Sequence, residues 1–444
     1  MSEKIPLREV LFLSVYLLVY LAHDNTQLLS NQNAHYLGVI LVVIALFIGW
    51  KRGGFFGAPF LLSFIIAYPL LAPFIAIDVL GYRYFSGYAG FVQEVEFYAP
   101  AVFMGALLLL YAAIAISPLR SSSQVLVGRV NISPDALLWL VILSVVFALI
   151  FAYLGDYGEG TILTQSYLDV VASRDRALAF TGGAWAVFMV LGYYLALYGK
   201  TRYAGAEILT AVFYVGLGLA AVFFLLHGRR VELAGYAVFL MLSWAGSGLR
   251  VKNLVLVLLG VLVLDYVGNI RLGDSQLHWF STSVDFNSLP GGAGNIAVGY
   301  VAAFWLVEKG GFELLLGQTY LDQLVRLPPA FLGLDRPPLA YDYVNDNFRL
   351  IGGEYFLMEP LINFGIIGLP VFVIIFSWVT NFMLGLMRDG SQGEGIVLLL
   401  VAGTYIALSY RTVWYGISPL VKPLIIAFLV GFAFDFSRRR VFSD

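Results

Sequence analysis

No cysteine occurs anywhere in the 444 residues. That absence removes disulfide scaffolds, thiolate metal sites and cysteine nucleophiles together. Histidine is nearly as scarce: there are four, none in an HxxxH or HxxE arrangement, so a dedicated zinc site is not expected. Charge is the third shortage. Asp, Glu, Lys and Arg make up 12% of the chain, against about a quarter in a soluble domain. So little charge does not cover a water-facing surface. A net charge of −2 without any basic tract gives no footprint for nucleic acid.

What the chain has instead is apolar length. Hydrophobic residues make up 60%, and they fall in repeated runs of about 17–22, enough to cross a hydrocarbon core of about 30 Å. The pattern predicts an all-α polytopic membrane protein with about 12 transmembrane helices. They fall near 9–22, 36–50, 55–77, 98–117, 135–153, 180–199, 204–226, 232–248, 253–270, 358–386, 396–409 and 419–436. The first run, Val10 to Ala22, follows Lys4 and Arg8 as a signal peptide would. Only His23-Asp24-Asn25 comes after it, with no small-x-small cleavage site, so it reads as an uncleaved first helix.

Twelve spans place both termini on one side. Under this topology the inner ends carry fourteen Lys and Arg, including Lys4, Arg8, Lys51, Arg52 and Arg388, while the short outer loops carry seven. The positive-inside rule therefore puts both termini in the cytoplasm. One compositional shift interrupts this single membrane domain of residues 1–444. From about Arg271 to Leu357 (271–357) the chain is richer in polar residues and turn signals, such as Pro290-Gly291-Gly292 and Pro328-Pro329. It reads as a large extracytoplasmic loop containing short helices. Asn295 to Val307 is apolar but too short to span, suiting an interfacial or re-entrant helix. A second helix is expected over Thr319 to Leu327, stopping at the proline pair.

Candidate chemistry gathers on the outer side. Arg229 and Arg230 follow a helix as His227-Gly228-Arg229-Arg230; Arg411 sits in Ser409-Tyr410-Arg411; Arg174 and Arg176 lie in a shorter outer loop. A guanidinium is a permanently charged planar fork that matches phosphate oxygens bidentately, which suits a lipid-linked phosphate or pyrophosphate. The competing reading is that arginines at helix ends snorkel to lipid headgroups. Carboxylates close the long loop in Gly352-Gly353-Glu354-Tyr355-Phe356-Leu357-Met358-Glu359-Pro360, before Leu361-Ile362-Asn363-Phe364-Gly365. Glu359 and Asn363 are four apart and share a helical face. An ionisable group at the membrane edge is costly unless paired, and desolvation favours a general base. The alternative for Glu359 and Glu354 is a helix N-terminus complemented by negative charge. Asp342 and Asp346 read as turn residues first, and Gly291-Gly292-Ala293-Gly294 lacks the Lys-Ser/Thr of a phosphate loop.

The run Gly352-Gly353 … Glu359 … Asn363-Phe364-Gly365 … Gly368 resembles the bacterial oligosaccharide repeat-unit polymerases, the O-antigen polymerase or Wzy family. So do Gly317-Gln318-Thr319-Tyr320-Leu321 … Arg326-Leu327-Pro328-Pro329 and the Gly228-Arg229-Arg230 step. The resemblance implies a membrane glycosyltransferase with a lipid-phosphosugar glycosyltransferase-like bundle in the bacterial inner membrane. Such an enzyme would transfer a glycan from undecaprenyl pyrophosphate to another lipid-linked repeat unit, with no metal or other cofactor. It implies pyrophosphate binding by Arg229, Arg230, Arg411, Arg326, Arg174 and Arg176, and catalysis by Glu359, with Glu354 and His227 as further candidates. Asn363 and Tyr410 would bind the acceptor sugar. Expected partners are the lipid-linked donor and acceptor, membrane lipids and a chain-length-regulating co-polymerase. The chain departs from the family in its short first outer loop, near 154–179. Rival readings are an O-antigen ligase, a polysaccharide or lipid-linked glycan transporter, and an acyltransferase built on His227.

Overall fold

The computed structural model describes residues 7–55, 57–79, 95–118, 288–325, 337–345 and 355–389, with a few isolated positions between 142 and 260. The helices expected near 135–153, 180–199, 204–226, 232–248, 253–270, 396–409 and 419–436 lie outside these residues, apart from those isolated positions. Every described element is helical. They are α1 (Leu7–Thr26), α2 (Gln32–Gly53), α3 (Ala58–Pro73), a π-helical turn (Phe74–Val79), and α4 (Val95–Ala115). After them come α5 (Ser288–Glu308), α6 (Gln318–Val325), α7 (Ala340–Asn345) and α8 (Met358–Asp389). Among the described residues, three stretches are long and apolar enough, by length and composition, to cross a membrane: Gln32–Gly53, Val95–Ala115 and, counted across a break at Gly365, Met358–Phe382.

Local chemistry explains the boundaries. Asn31 caps α2, its side chain accepting the Ala34 amide at 2.9 Å. Gly54, at φ 73°, ends that helix in a conformation open to glycine. Pro69 and Pro73 each remove a backbone donor from α3, and the ladder widens into the π turn at Phe74. α2 packs most extensively on α4, where Gly38 allows close approach: a Cβ there would lie 3.1 Å from the Phe103 Cα. Close backbone contact of this kind drives helix association where no water is expelled.

The bundle has two chemically distinct ends. At one, Arg52 on α2 donates to the carbonyls of Ala113 and Ile114, and Asn381 on α8 donates to the carbonyl of Ala115 at 2.8 Å. Orphan carbonyls at the end of α4 are thereby satisfied. Arg8 at the start of α1 joins this end, its guanidinium 5.7 Å from the centre of the Tyr111 ring. At the other end His23 of α1 meets Glu308 of α5, and His35 of α2 meets Asp78 of the π turn. Successive helices α1 to α4 alternate in direction between the two ends.

Part of the stretch expected as an outer loop is built into the bundle. Asn295 to Val307, expected as a short interfacial or re-entrant helix, belongs to the 21-residue α5, whose side chains from Ala297 to Phe304 are buried. Its Tyr300 hydroxyl donates to the Ala101 carbonyl at 3.2 Å, while Trp305 packs on Phe97. α5 thus runs antiparallel to α4, towards the Glu308 end. The turn signal Pro290-Gly291-Gly292 falls in its first turns, where proline costs no hydrogen bond.

α8 is the larger departure. The hydropathy pattern predicts one crossing helix over 358–386. Gly365, at φ 69° and ψ −167°, breaks it, and the two arms fold back on each other. Phe356 packs against Phe376 with tilted rings whose centres are 5.6 Å apart, and a Cβ on Gly368 would lie 3.0 Å from the Pro360 carbonyl oxygen. In a continuous helix rising 1.5 Å per residue, twenty residues would separate the two rings by about 30 Å. The short arm therefore climbs from the core towards the Glu308 end, turns at Gly365, and returns as the long arm to the Arg52 end. Its last carbonyls, Ile362 and Asn363, accept the amides of Leu315 and Leu316 at 3.0 Å each.

Candidate active site

The hairpin and α6 together position one buried polar cluster. Glu359 lies on the short arm, about a turn and a half before the reversal, and is fully buried. Its Oε1 accepts a hydrogen bond from the Thr319 hydroxyl at 3.0 Å. The amide of Asn363 donates to Thr319 Oγ1 at 2.7 Å and to the Glu359 carbonyl at 2.7 Å. Asn363 Oδ1 in turn accepts the Gly317 amide at 2.8 Å. The expected common face of Glu359 and Asn363 is thus present, with Thr319 spanning the two.

The hydrogen-bond directions follow from the donors available. Thr319 has one hydroxyl proton, and its oxygen already accepts from Asn363. That proton goes to Glu359, so a directed chain runs from Asn363 through Thr319 to the carboxylate. Glu359 itself lies inside the bundle and away from its outer surface, because the short arm is re-entrant. Both Asn363 donors serve the hairpin and α6, so its amide holds the geometry together. Next to the cluster, Tyr320 stacks on Phe364 with ring centres 6.1 Å apart. Its phenol pKa is pushed up, by burial first and then by the Glu359 carboxylate.

Of the other expected site residues, Glu354, His227, Arg229, Arg230, Arg411, Arg326, Arg174, Arg176 and Tyr410 lie outside the described residues. Asp346 does so too. Asp342, read from its sequence context as a turn residue, lies instead in the first helical turn of α7 and accepts the Leu339 amide at 2.6 Å. Sequence reasoning missed Thr319, since a lone threonine at a helix start reads as an ordinary cap.

It also missed three polar contacts elsewhere, each with at least one buried partner. Glu9, His23 and Tyr16 form the buried seam of α1 at seven-residue spacing. Glu9 accepts from Arg8 and from the Tyr111 hydroxyl at 3.0 Å. His23 Nδ1 accepts the Leu29 amide at 3.2 Å, leaving Nε2 3.1 Å from Glu308 Oε1, at an angle poor for a hydrogen bond. His35 Nε2 stands 3.3 Å from Asp78 Oδ2, and Gln32 donates to Asp78 Oδ1 at 3.1 Å. The seven-residue spacing along α1 was the available signal for the first of these. Among the described residues, no three His, Asp or Glu side chains form a group fit to hold a metal ion.

Comparison with protein-family models, with curated proteins and with solved structures finds no match to this chain.

Proposed function

We propose that the chain is a membrane glycosyltransferase that polymerises undecaprenyl-pyrophosphate-linked oligosaccharide repeat units into O-antigen or exopolysaccharide at the outer face of the bacterial inner membrane. One observation carries the reading: the buried Glu359 carboxylate already accepts a hydrogen bond from an alcohol, Thr319, at 3.0 Å. A sugar hydroxyl presented to a general base has the same chemistry. In the proposed step an acceptor hydroxyl displaces Thr319 and passes its proton to Glu359 as the oxygen attacks the anomeric carbon. The anomeric C–O bond breaks, and its electron pair leaves on the lipid pyrophosphate. Arg229, Arg230 and Arg411 hold the charge that develops there, a task for fixed donors. Protonated Glu359 then returns its proton to water.

The test is lipid-linked glycan chain length in a strain lacking the gene and complemented with variants. Positioned general bases contribute about 10²–10⁴-fold to rate, so Glu359→Gln should stop chain growth at normal protein level and leave single units. Long chains of ordinary length from that variant would remove Glu359 as the base. Arg230→Lys keeps the charge and loses the fork, so polymer should fall clearly while membrane insertion persists. A ligase would share this bundle and differ in its acceptor, which the same assay separates by whether unpolymerised units accumulate or polymer does.

A further inference from the structure

α6 is amphipathic in the reverse sense of a helix on a soluble protein. Its polar side faces the protein. Thr319 bonds Glu359 and Asn363, and Asp322 accepts from Gln318 at 2.7 Å and from the Tyr343 hydroxyl at 3.0 Å. Thr319 and Asp322 are 2% and 5% exposed. The apolar side points away from the protein: Leu321, Leu324 and Val325 are 59%, 54% and 57% exposed, and Leu316 just before the helix is 78% exposed. In water the burial of apolar surface contributes about 25 cal/mol per Å², and a helix docked on a protein places its apolar stripe inwards. The opposite placement is stable where the medium outside is itself apolar.

The neighbouring surface agrees. Phe364 stacks on Tyr320 and is 48% exposed, and from it an apolar stripe descends the long arm of α8 through Ile367, Val371 and Ile375. That arm makes up most of the apolar stretch Met358–Phe382 and runs unbroken from the Gly365 turn towards the Arg52 end. α6 meets the top of this stripe at the Glu308 end, where Tyr320 stacks on Phe364. Exposed charged residues surround that level, Asp24, Lys309 and Glu313 among them, as they would beside lipid headgroups.

We infer that α6 lies in the bilayer interface at the Glu308 end, with Leu321, Leu324 and Val325 inserted among lipid acyl chains. Its occupant is the lipid leaflet itself. The inserted face and the Glu359 contact sit on opposite sides of one eight-residue helix, so the leaflet sets the position of Thr319 over the carboxylate. The inference rests on the placement of α6 alone and is independent of the transferase reading.

The cysteine-free chain makes the test direct. Single cysteines replace Leu321 or Leu324, each carries a nitroxide label, and the full-length protein is placed in phospholipid nanodiscs. Accessibility to dissolved oxygen, which partitions into acyl chains, is compared with accessibility to a water-soluble nickel chelate. Ile375→Cys on the α8 stripe serves as the acyl-chain reference, and Asp24→Cys as the aqueous one. Both α6 labels should favour oxygen as the Ile375 label does. An aqueous profile like that of the Asp24 label at either position overturns the inference. Leu324→Ala, labelled instead at Leu321→Cys, guards against local distortion by the bulkier change: an oxygen profile retained there supports insertion, and an aqueous one counts against it.

Discussion

Thr319 and Asn363 show how much of this bundle rests on a few polar side chains. Each is buried, and each serves as donor and acceptor between α6 and the hairpin. Removing the Thr319 hydroxyl leaves one Asn363 donor and one Glu359 acceptor without that partner, and an unsatisfied buried group costs about 1–3 kcal/mol. Thr319→Val, close in shape, should therefore lower the thermal unfolding midpoint in detergent. Thr319→Ser keeps the hydroxyl and should recover most of the loss. Equal midpoints for Val and wild type would mean water or another side chain replaces the contact. Sequence alone shows the i, i+4 pairing of Glu359 and Asn363, because helical periodicity acts over one turn. Thr319 is forty residues from Glu359 in the chain, and only the fold brings the two together.

Among the elements, α8 separates what local pattern reveals from what it hides. Its apolar length and its start at Met358 are plain in the sequence, and so are the ends of α1, α2 and α4 to within a few residues. Hydropathy cannot see the reversal, since both arms are apolar and a glycine inside a transmembrane helix is common. The reversal depends on one backbone conformation. Gly365 at φ 69° and ψ −167° sits in a region essentially reserved for glycine, which costs another residue about 1–3 kcal/mol. A Cβ there would meet Leu314 Cδ1 at 3.4 Å, an ordinary contact, so the cost of Gly365→Ala is conformational and not steric. That variant should unfold at a lower midpoint than wild type, whereas Gly368→Ala meets the Phe364 side chain and the Pro360 carbonyl and should cost more. If Gly365→Ala were as stable as wild type, the hairpin turn would not depend on glycine.

At the scale of the whole molecule, the two bundle ends bear on the charge count that predicted topology. Lys51, Arg52 and Arg8, with Glu9, lie at one end, where Arg52 caps α4; Asp24, Asp78, Glu308 and Glu313, with Lys309, lie at the other. By the positive-inside rule the first end would face the cytoplasm. Glu359 and α6 would then sit towards the opposite face, where the proposed polymerisation would join lipid-linked repeat units. A chain without cysteine allows each end to be read separately. In spheroplasts, a membrane-impermeant thiol reagent should label Asp24→Cys and Glu313→Cys directly, both positions being exposed. Lys51→Cys, equally exposed, should label only after the membrane is opened. The reverse pattern would turn the Glu359 cluster to the cytoplasm. The proposed polymerisation would then have no access to its substrates, although α6 could still lie in a leaflet, so this measurement and the nitroxide accessibilities address separate conclusions.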